Sequence, residues 1–289
     1  MNQVQVRVPA TTANLGPGFD SFGCALSLYN TVNFEEIPAG LEWVDYPADF
    51  ANENNLIYKS FCAVFAYLGQ SVRGVRISAD EQIPFSRGLG SSAEMLVAGA
   101  LAANYFTGNT LSLAQLLMIT NALEGHPDNL APAFYGGLTV SFLDQNGTPV
   151  TRNFALHKDW KFLVFVPNFQ LSTKKARSVL PKQVSREDAI FNLSHAAMLL
   201  RALADGDENL LNLALDDRLH QPFRRALIPG YDKISQQLAE LGGRICISGA
   251  GPTLLCITKD LDPAQLTFPA EWEVFSLVPD FVGATVSVL

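Results

Sequence analysis

The stretch Pro84–Glu94, PFSRGLGSSAE, sets Gly90, Ser91 and Ser92 in a row at the head of a strong helical pattern. Beyond Ser92 the apolar positions Met95, Leu96, Ala98, Ala102, Ala103 and Phe106 recur at helical spacing, and Gly108 closes the run. A glycine-rich loop feeding a helix N-terminus offers unpaired backbone N–H groups and the positive end of the helix dipole. That combination binds anions, phosphate most often. The two hydroxyls can cap the helix, bond a phosphate oxygen or ligate magnesium. The stretch is not a Walker A loop, because no GxxxxGK[ST] occurs in the chain, and it does not fit GxGxxG. Taken alone, it is better explained as an ordinary Gly-Ser loop before a helix. Its company elsewhere in the chain favours a nucleotide.

The chain has 289 residues, 48% of them hydrophobic, enough to bury a sizeable core in one large or two modest domains. A net charge of −8 argues against non-specific binding to nucleic acid or anionic membrane, since both favour a basic face. It does not exclude an anionic small substrate, for which local arginines decide. Cys24, Cys62, Cys246 and Cys256 show no CxxC spacing, and only four histidines are present, so a structural zinc site is not expected. Reduced thiols in a cytoplasmic protein are the expectation. An alternating strand, VQVRVPA, begins at residue 4 and leaves no room for a signal peptide, and no apolar run reaches membrane-spanning length.

The first half reads as strands followed by helices. Strands are expected at 4–8, 26–36 (interrupted at Tyr29-Asn30), 72–78 and 137–143, and helices at 55–68 and 112–124, the latter opened by a Ser112/Gln115 capping box. Asn146-Gly147 signals a hairpin turn. In the second half, strands are expected at 160–167, 244–248, 253–258, 271–277 and 284–289, and helices at 186–203, 208–215 and 231–241. This is an α+β chain in two lobes, 1–155 and 156–289, with no flexible tether between them.

Three further segments carry candidate chemistry. In PATTANLGPGFDSFG, Asn14 and Asp20 are short polar side chains held by Gly16, Pro17 and Gly18, suited to a rigid ligand-facing loop or to an Asx turn. In EGHPDN, Glu124 continues the helical stripe of Leu113, Leu116, Leu117 and Thr120 and sits at a helix C-terminus, where the dipole disfavours negative charge. A buried carboxylate there needs a partner, magnesium or an arginine. Acidic groups beside a phosphate loop make a Mg-nucleotide site plausible, since magnesium takes one or two carboxylates plus phosphate oxygens. SGAGPT, from Ser248 to Thr253, lets backbone approach a ligand closely or is a plain tight connection. Arg177 and Arg224 are suited to clamp a carboxylate or to sit at the surface.

Together PATTANLGPGFD, PFSRGLGSSAE, EGHPDN and ISGAGPT, in this order, resemble the GHMP small-molecule kinases, and STKKAR with HQPFR resembles the branch acting on homoserine. The resemblance implies an N-terminal lobe like ribosomal protein S5 domain 2 and a ferredoxin-like C-terminal lobe. It implies phosphoryl transfer from ATP to L-homoserine. Pro84, Ser86, Arg87, Gly88, Leu89, Gly90, Ser91, Ser92 and Ala93 would form the ATP loop, with Mg2+ on Glu124 and Ser92. Asn14, Asp20, Asp128 and Asn129 would be catalytic. His126, Thr173, Arg177, Arg224 and Gly249 would hold the substrate, the arginines on its carboxylate. Homodimerisation is left open.

One departure stands out. Mevalonate- and galactose-type kinases carry a lysine or arginine near the first motif, paired with a catalytic aspartate, and VPATTANLGPGFD has no lysine. Asp128 is available as a base, but positioning and charge stabilisation suffice for a loose phosphoryl-transfer transition state. Two alternatives remain: a GHMP kinase for another small alcohol, which would give two arginines nothing to bind, and a non-catalytic amino-acid or nucleotide sensor, which would be expected to lose Glu124.

Overall fold

The structure is a computed structural model that describes residues 2–289. Its first strand, β1 (Gln3–Ala13), turns Val4, Val6 and Val8 into the core by simple alternation. It runs antiparallel to the long β2 (Phe22–Ile37), and their register slips between Pro9 and Ala10. The expected interruption at Tyr29-Asn30 is not found there, since both residues pair in register; the bulge falls just before them, at Ser27 and Leu28, within one continuous strand. β1 also extends further than its alternation predicts. Ala10–Ala13 are buried on both sides, so half of PATTANLGPGFD is strand and the turn begins at Asn14.

β2 is long enough to carry β4 (Gly74–Asp80) along residues 31–37 and β5 (Leu138–Leu143) along residues 22–24. With the short β3 (Leu41–Trp43), β6 (Pro149–Phe154) and β11 (Thr285–Val288) they form a seven-stranded sheet. Four helices cover its inner face: α1 (Leu56–Tyr67), α2 (Ser91–Phe106), α3 (Leu113–Glu124) and α4 (Leu130–Tyr135). α3 opens with the Ser112/Gln115 capping box. α4, a single short turn after EGHPDN, carries no periodic signal.

In the second half, β7 (Lys161–Val166), β8 (Ile245–Ile247), β9 (Leu254–Thr258) and β10 (Glu273–Leu277) form an antiparallel sheet in the order β10-β7-β9-β8. Numbered within the lobe this is 4-1-3-2, the ferredoxin-like order, with one crossover reduced to the 3-10 turn Pro263–Gln265. The connection from β7 to β8 holds α5 (Thr173–Ser178), α6 (Arg186–Asp205), α7 (Glu208–Ala214), α8 (Gln221–Arg224) and α9 (Tyr231–Glu240). β7 is buried on both faces. Phe162, Val164 and Val166 meet α6, α7 and the first half's Leu15, Phe22, Leu26 and Leu89, while Leu163 and Phe165 meet Ile234 and Leu238 of α9. The two halves therefore share a core, which accounts for the missing tether. The chain ends by crossing back, and β11 pairs with β1. All four cysteines are free thiols, and among the described residues no helix is long and apolar enough to cross a membrane.

α1 and α2 touch at Gly99, where an added Cβ would lie 1.9 Å from the Ile57 carbonyl oxygen. Alanine is the better helix former by about 1 kcal/mol, but that clash is with backbone and cannot be relieved by a rotamer. Gly99→Ala is expected to destabilise by about 1–3 kcal/mol, read as a lower urea midpoint at unchanged slope.

Candidate active site

A cleft of about 220 Å³ opens where the two halves meet. The β1–β2 turn, the 84–90 loop, the α3–α4 connection, α5, α8 and the turn before β9 all reach it.

Its floor is the N-terminus of α2. The N-termini of α1, α3, α5, α6 and α7 are capped by Asn55, Ser112, Ser172, Ser185 and Asp207. α2 begins instead on Gly90 in the left-handed region, with no side-chain cap. Among the described residues, the N–H groups of Ser91, Ser92 and Ala93 find no acceptor. Glycine is required at 90 for packing as well as for φ, since a Cβ there would lie 2.0 Å from Thr11 Oγ1. The loop is fixed from outside: Thr11 N donates to the Leu89 carbonyl at 3.0 Å and Ser248 Oγ to the Gly88 carbonyl at 2.7 Å. The two serines diverge. Ser91 Oγ accepts from Ser86 N at 3.2 Å, while Ser92 Oγ donates to Glu124 Oε2 at 2.6 Å.

Glu124 is the last residue of α3 and half-buried. Among the described residues no Lys, Arg or His nitrogen lies within 4.0 Å of its carboxylate, so the bland arginine partner is absent. Burial pushes its pKa up and Asp128 adds to this, against the hydrogen bond from Ser92 and the charge of His126. A relay of side chains follows. His126 Nδ1 meets Asp128 Oδ1 at 2.9 Å, Asn129 Nδ2 donates to the same oxygen at 3.4 Å, and Thr11 Oγ1 donates to Asn129 Oδ1 at 2.9 Å. Burial alone would lower the pKa of His126, but the Asp128 hydrogen bond and the charges of Asp128 and Glu124 outweigh it and raise it.

The opposite wall is cationic. Arg177 forks onto Asp20, with bonds of 2.9 and 2.8 Å. Arg224 is only 1% exposed. It bonds the carbonyls of Gly249 at 3.1 Å and Ala176 at 3.3 Å, and among the described residues has no carboxylate within 4.0 Å. Burial, and then the charge of Arg177, pull its pKa down to about 10, so it remains a cation at neutral pH. A buried, unpaired guanidinium facing a cleft calls for an anion.

Of the expected residues, Asn14, Asp20, Ser86, Gly88, Gly90, Ser91, Ser92, Glu124, His126, Asp128, Asn129, Thr173, Arg177, Arg224 and Gly249 line this one cleft. Pro84, Arg87, Leu89 and Ala93 do not. Arg87 turns away to the Pro167 and Phe85 carbonyls, and Leu89 and Ala93 are wholly buried in the core. Asn14 is spent as a brace, donating to the Gly249 carbonyl at 2.6 Å and accepting from Asp20 N at 2.9 Å. Thr11, Ser248 and His220 escape the sequence reading. His220 lies one helical turn before Arg224 in HQPFR, and that spacing is the signal that could have found it.

An open helix N-terminus, a carboxylate at its rim and a buried cation opposite suit the site of a small-molecule kinase. Residues 55–137 match the GHMP kinases N terminal domain and residues 199–267 the GHMP kinases C terminal family. Homoserine kinase of Clostridium beijerinckii is 41% identical over 294 residues, covering 98% of each chain. That of Clostridium botulinum strain Eklund 17B is 44% identical over 293 residues, again covering 98% of each. The crystal structure of homoserine kinase from Cytophaga hutchinsonii superposes with a TM-score of 0.86 at 26% identity, covering 99% of this chain and 98% of that one. An L. major mevalonate kinase at 18% identity and a TM-score of 0.74 shares the fold. The chain belongs to the GHMP kinase family.

His126 should titrate above its ordinary pKa of about 6.5 in a proton NMR pH series, and Asp128→Asn should bring it down. Because the folded pKa is the higher one, this pair stabilises the fold fully below about pH 6.5 and progressively less as pH rises through the folded value. An unchanged His126 titration in the variant would show that the Asp128 contact does not set it.

Proposed function

We propose that this chain is a homoserine kinase of threonine biosynthesis, working in the cytoplasm and transferring the γ-phosphoryl group of ATP to the hydroxyl of L-homoserine. The observation that carries the reading is the pairing, within one cleft, of the uncapped α2 N-terminus with the unpaired, buried Arg224. One suits a polyphosphate, the other a small carboxylate. Full-length similarity to homoserine kinases supports the choice of acceptor.

The free N–H groups of the first α2 turn bind the phosphates, and Gly88 and Gly90 let backbone approach them. Mg2+ fits the donor set at the rim. Glu124 lacks a cation partner, and Ser92, whose hydroxyl already faces it, is the loop serine placed to join it, whereas Ser91 is turned to Ser86. When bound, Mg2+ supplies charge neutralisation at the phosphate oxygens. The amino acid enters from the cationic wall. Arg224 takes its carboxylate, and Asp20, oriented by Arg177, accepts its ammonium group. Arg177 thus acts first through Asp20, because that carboxylate occupies its fork.

Asn129, held by Thr11, orients the acceptor hydroxyl, whose oxygen forms the new P–O bond as the bond to ADP breaks. Asp128 accepts from His126 and Asn129 at Oδ1, and these two bonds hold its carboxylate in a positioning role. The hydroxyl proton leaves late, to the transferred phosphate or to water, as a loose transition state permits.

ADP release with Mg-ATP should be much faster with homoserine than with mevalonate, galactose or shikimate, and equal rates across that panel would defeat the assignment. Glu124→Gln keeps the shape and removes the charge, so kcat should fall about a hundredfold or more at limiting Mg2+. A folded variant retaining half of wild-type turnover would remove Glu124 from the metal site. Arg224→Ala should raise the homoserine KM by about 10- to 150-fold, the loss of one charge-assisted hydrogen bond, with the KM for ATP little changed. A homoserine analogue with its carboxylate reduced to an alcohol should discriminate poorly between variant and wild type.

A further inference from the structure

Asn30 lies outside the cleft and is 2% exposed, in the middle of β2, where it pairs with Val8 of β1. The ladder between β2 and β4 ends at Thr31 and Asp80. Beyond that point the Asn30 side chain takes over from the backbone. Its Oδ1 accepts from Gln82 N at 2.6 Å and Ile83 N at 2.8 Å, the last residues before the phosphate loop. Its Nδ2 donates to Glu94 Oε2 at 2.8 Å. Glu94 is in the first turn of α2, immediately after the loop, and only 1% exposed. One amide therefore joins the entry of the loop to its exit. Thr11 and Ser248 hold the far side of the loop, and nothing in the transfer chemistry uses Asn30 or Glu94.

We propose that Asn30 and Glu94 are positioning residues for nucleotide, a staple across the base of the phosphate loop that holds the α2 N–H groups in their phosphate-binding arrangement before ATP arrives. The proposal rests on the reading of that loop as the ATP site. A loop whose binding-ready conformation is only fractionally populated binds its ligand more weakly by that fraction. The staple keeps the fraction high. It touches no residue of the cationic wall, so its loss should weaken ATP and leave homoserine alone. That split separates positioning from a general structural role.

The pair can be inverted. Asn30→Asp keeps acceptors for Gln82 and Ile83 but removes the donor to Glu94. Burial raises the Glu94 pKa to about 8, so the comparison is run at about pH 9 or above to keep a Glu94 proton from bridging the two carboxyls. Adding Glu94→Gln restores one donor and one acceptor with the polarity reversed. Calorimetric titration with Mg-ATP, and KM values for both substrates, should be compared for wild type, each single variant and N30D/E94Q. N30D is expected to bind ATP about tenfold more weakly, as when a competent population falls to about a tenth, with the homoserine KM within about twofold. The double variant should recover wild-type ATP affinity. Unchanged ATP affinity in N30D, a homoserine KM rising in step, or no recovery in the double variant overturns the staple. Hydrogen exchange on the wild type gives a readout that needs no variant to fold. The Gln82 and Ile83 amides should be protected without nucleotide, and free-chain exchange at both overturns the proposal. Failure of the wild type itself to bind Mg-ATP would instead remove the nucleotide reading on which the staple rests.

Discussion

The structure turns on a debt left by helix geometry. The first turn of any α-helix has N–H groups with no intrahelical acceptor, and most helices settle this with a capping side chain. In this protein five helices do so; α2, like α4, α8 and α9, does not, and its open start is the one that forms the floor of the cleft. Its start is built from Gly90, whose missing Cβ leaves room for Thr11, and Thr11 in turn holds Asn129. The demand for an acceptor is therefore passed to a ligand. β1 supplies Thr11, the turn before β9 supplies Ser248, and β2 supplies Asn30. Three separate strands or turns are needed to keep one short loop open.

The second half answers with charge. His220 is fully buried, and its Nε2 meets the Gly16 carbonyl at 2.8 Å. A carbonyl only accepts, so Nε2 carries the proton and the Nδ1 lone pair faces the Arg224 guanidinium at 3.3 Å. Burial, together with the charge of Arg224, lowers the pKa of His220 despite Asp217, in keeping with that neutral tautomer. The Phe19 ring stacks on His220 at 5.1 Å and lies beneath both arginines. Asp217 accepts from the N–H groups of Leu219, His220 and Gln221 and from the amide of Asn192, which also bonds the Pro17 carbonyl. The NLGPGFD turn and HQPFR are thus one unit, 204 residues apart in sequence from Gly16 to His220 and joined through buried polar bonds.

Much of this was legible in the sequence, for reasons that differ by residue. Periodicity located α1, α2, α3, α6 and β7 because each has a buried apolar face or two. The 84–90 loop was legible from glycines crowded at a helix start, and Glu124 because a carboxylate at a helix C-terminus breaks a local rule. What stayed hidden has no local signature. α4 and α5 are six residues each, too short to show a period. Arg87 looks like a ligand for phosphate but is diverted by two carbonyls that only tertiary structure supplies. The return of β11 to β1 is invisible in a valine-rich C-terminus that would suit any sheet.

The absence of a lysine in the first motif also acquires a physical reason. Asp128 is 3% exposed and tied to His126, whose protonation its own charge favours. A neighbouring lysine would add a third cation to a wall that already crowds Arg177 and Arg224, where the charge of Arg177 lowers the tendency of Arg224 to hold its proton and of His126 to gain one. That crowding is tolerable only because Asp20 neutralises Arg177 directly and the remaining charge, on Arg224, is left for a ligand. The cleft is thus built one negative charge short on the cationic wall and several hydrogen-bond acceptors short on the α2 side. A zwitterionic amino acid with one carboxylate and a polyphosphate meet those two shortages separately, and neither ligand meets both.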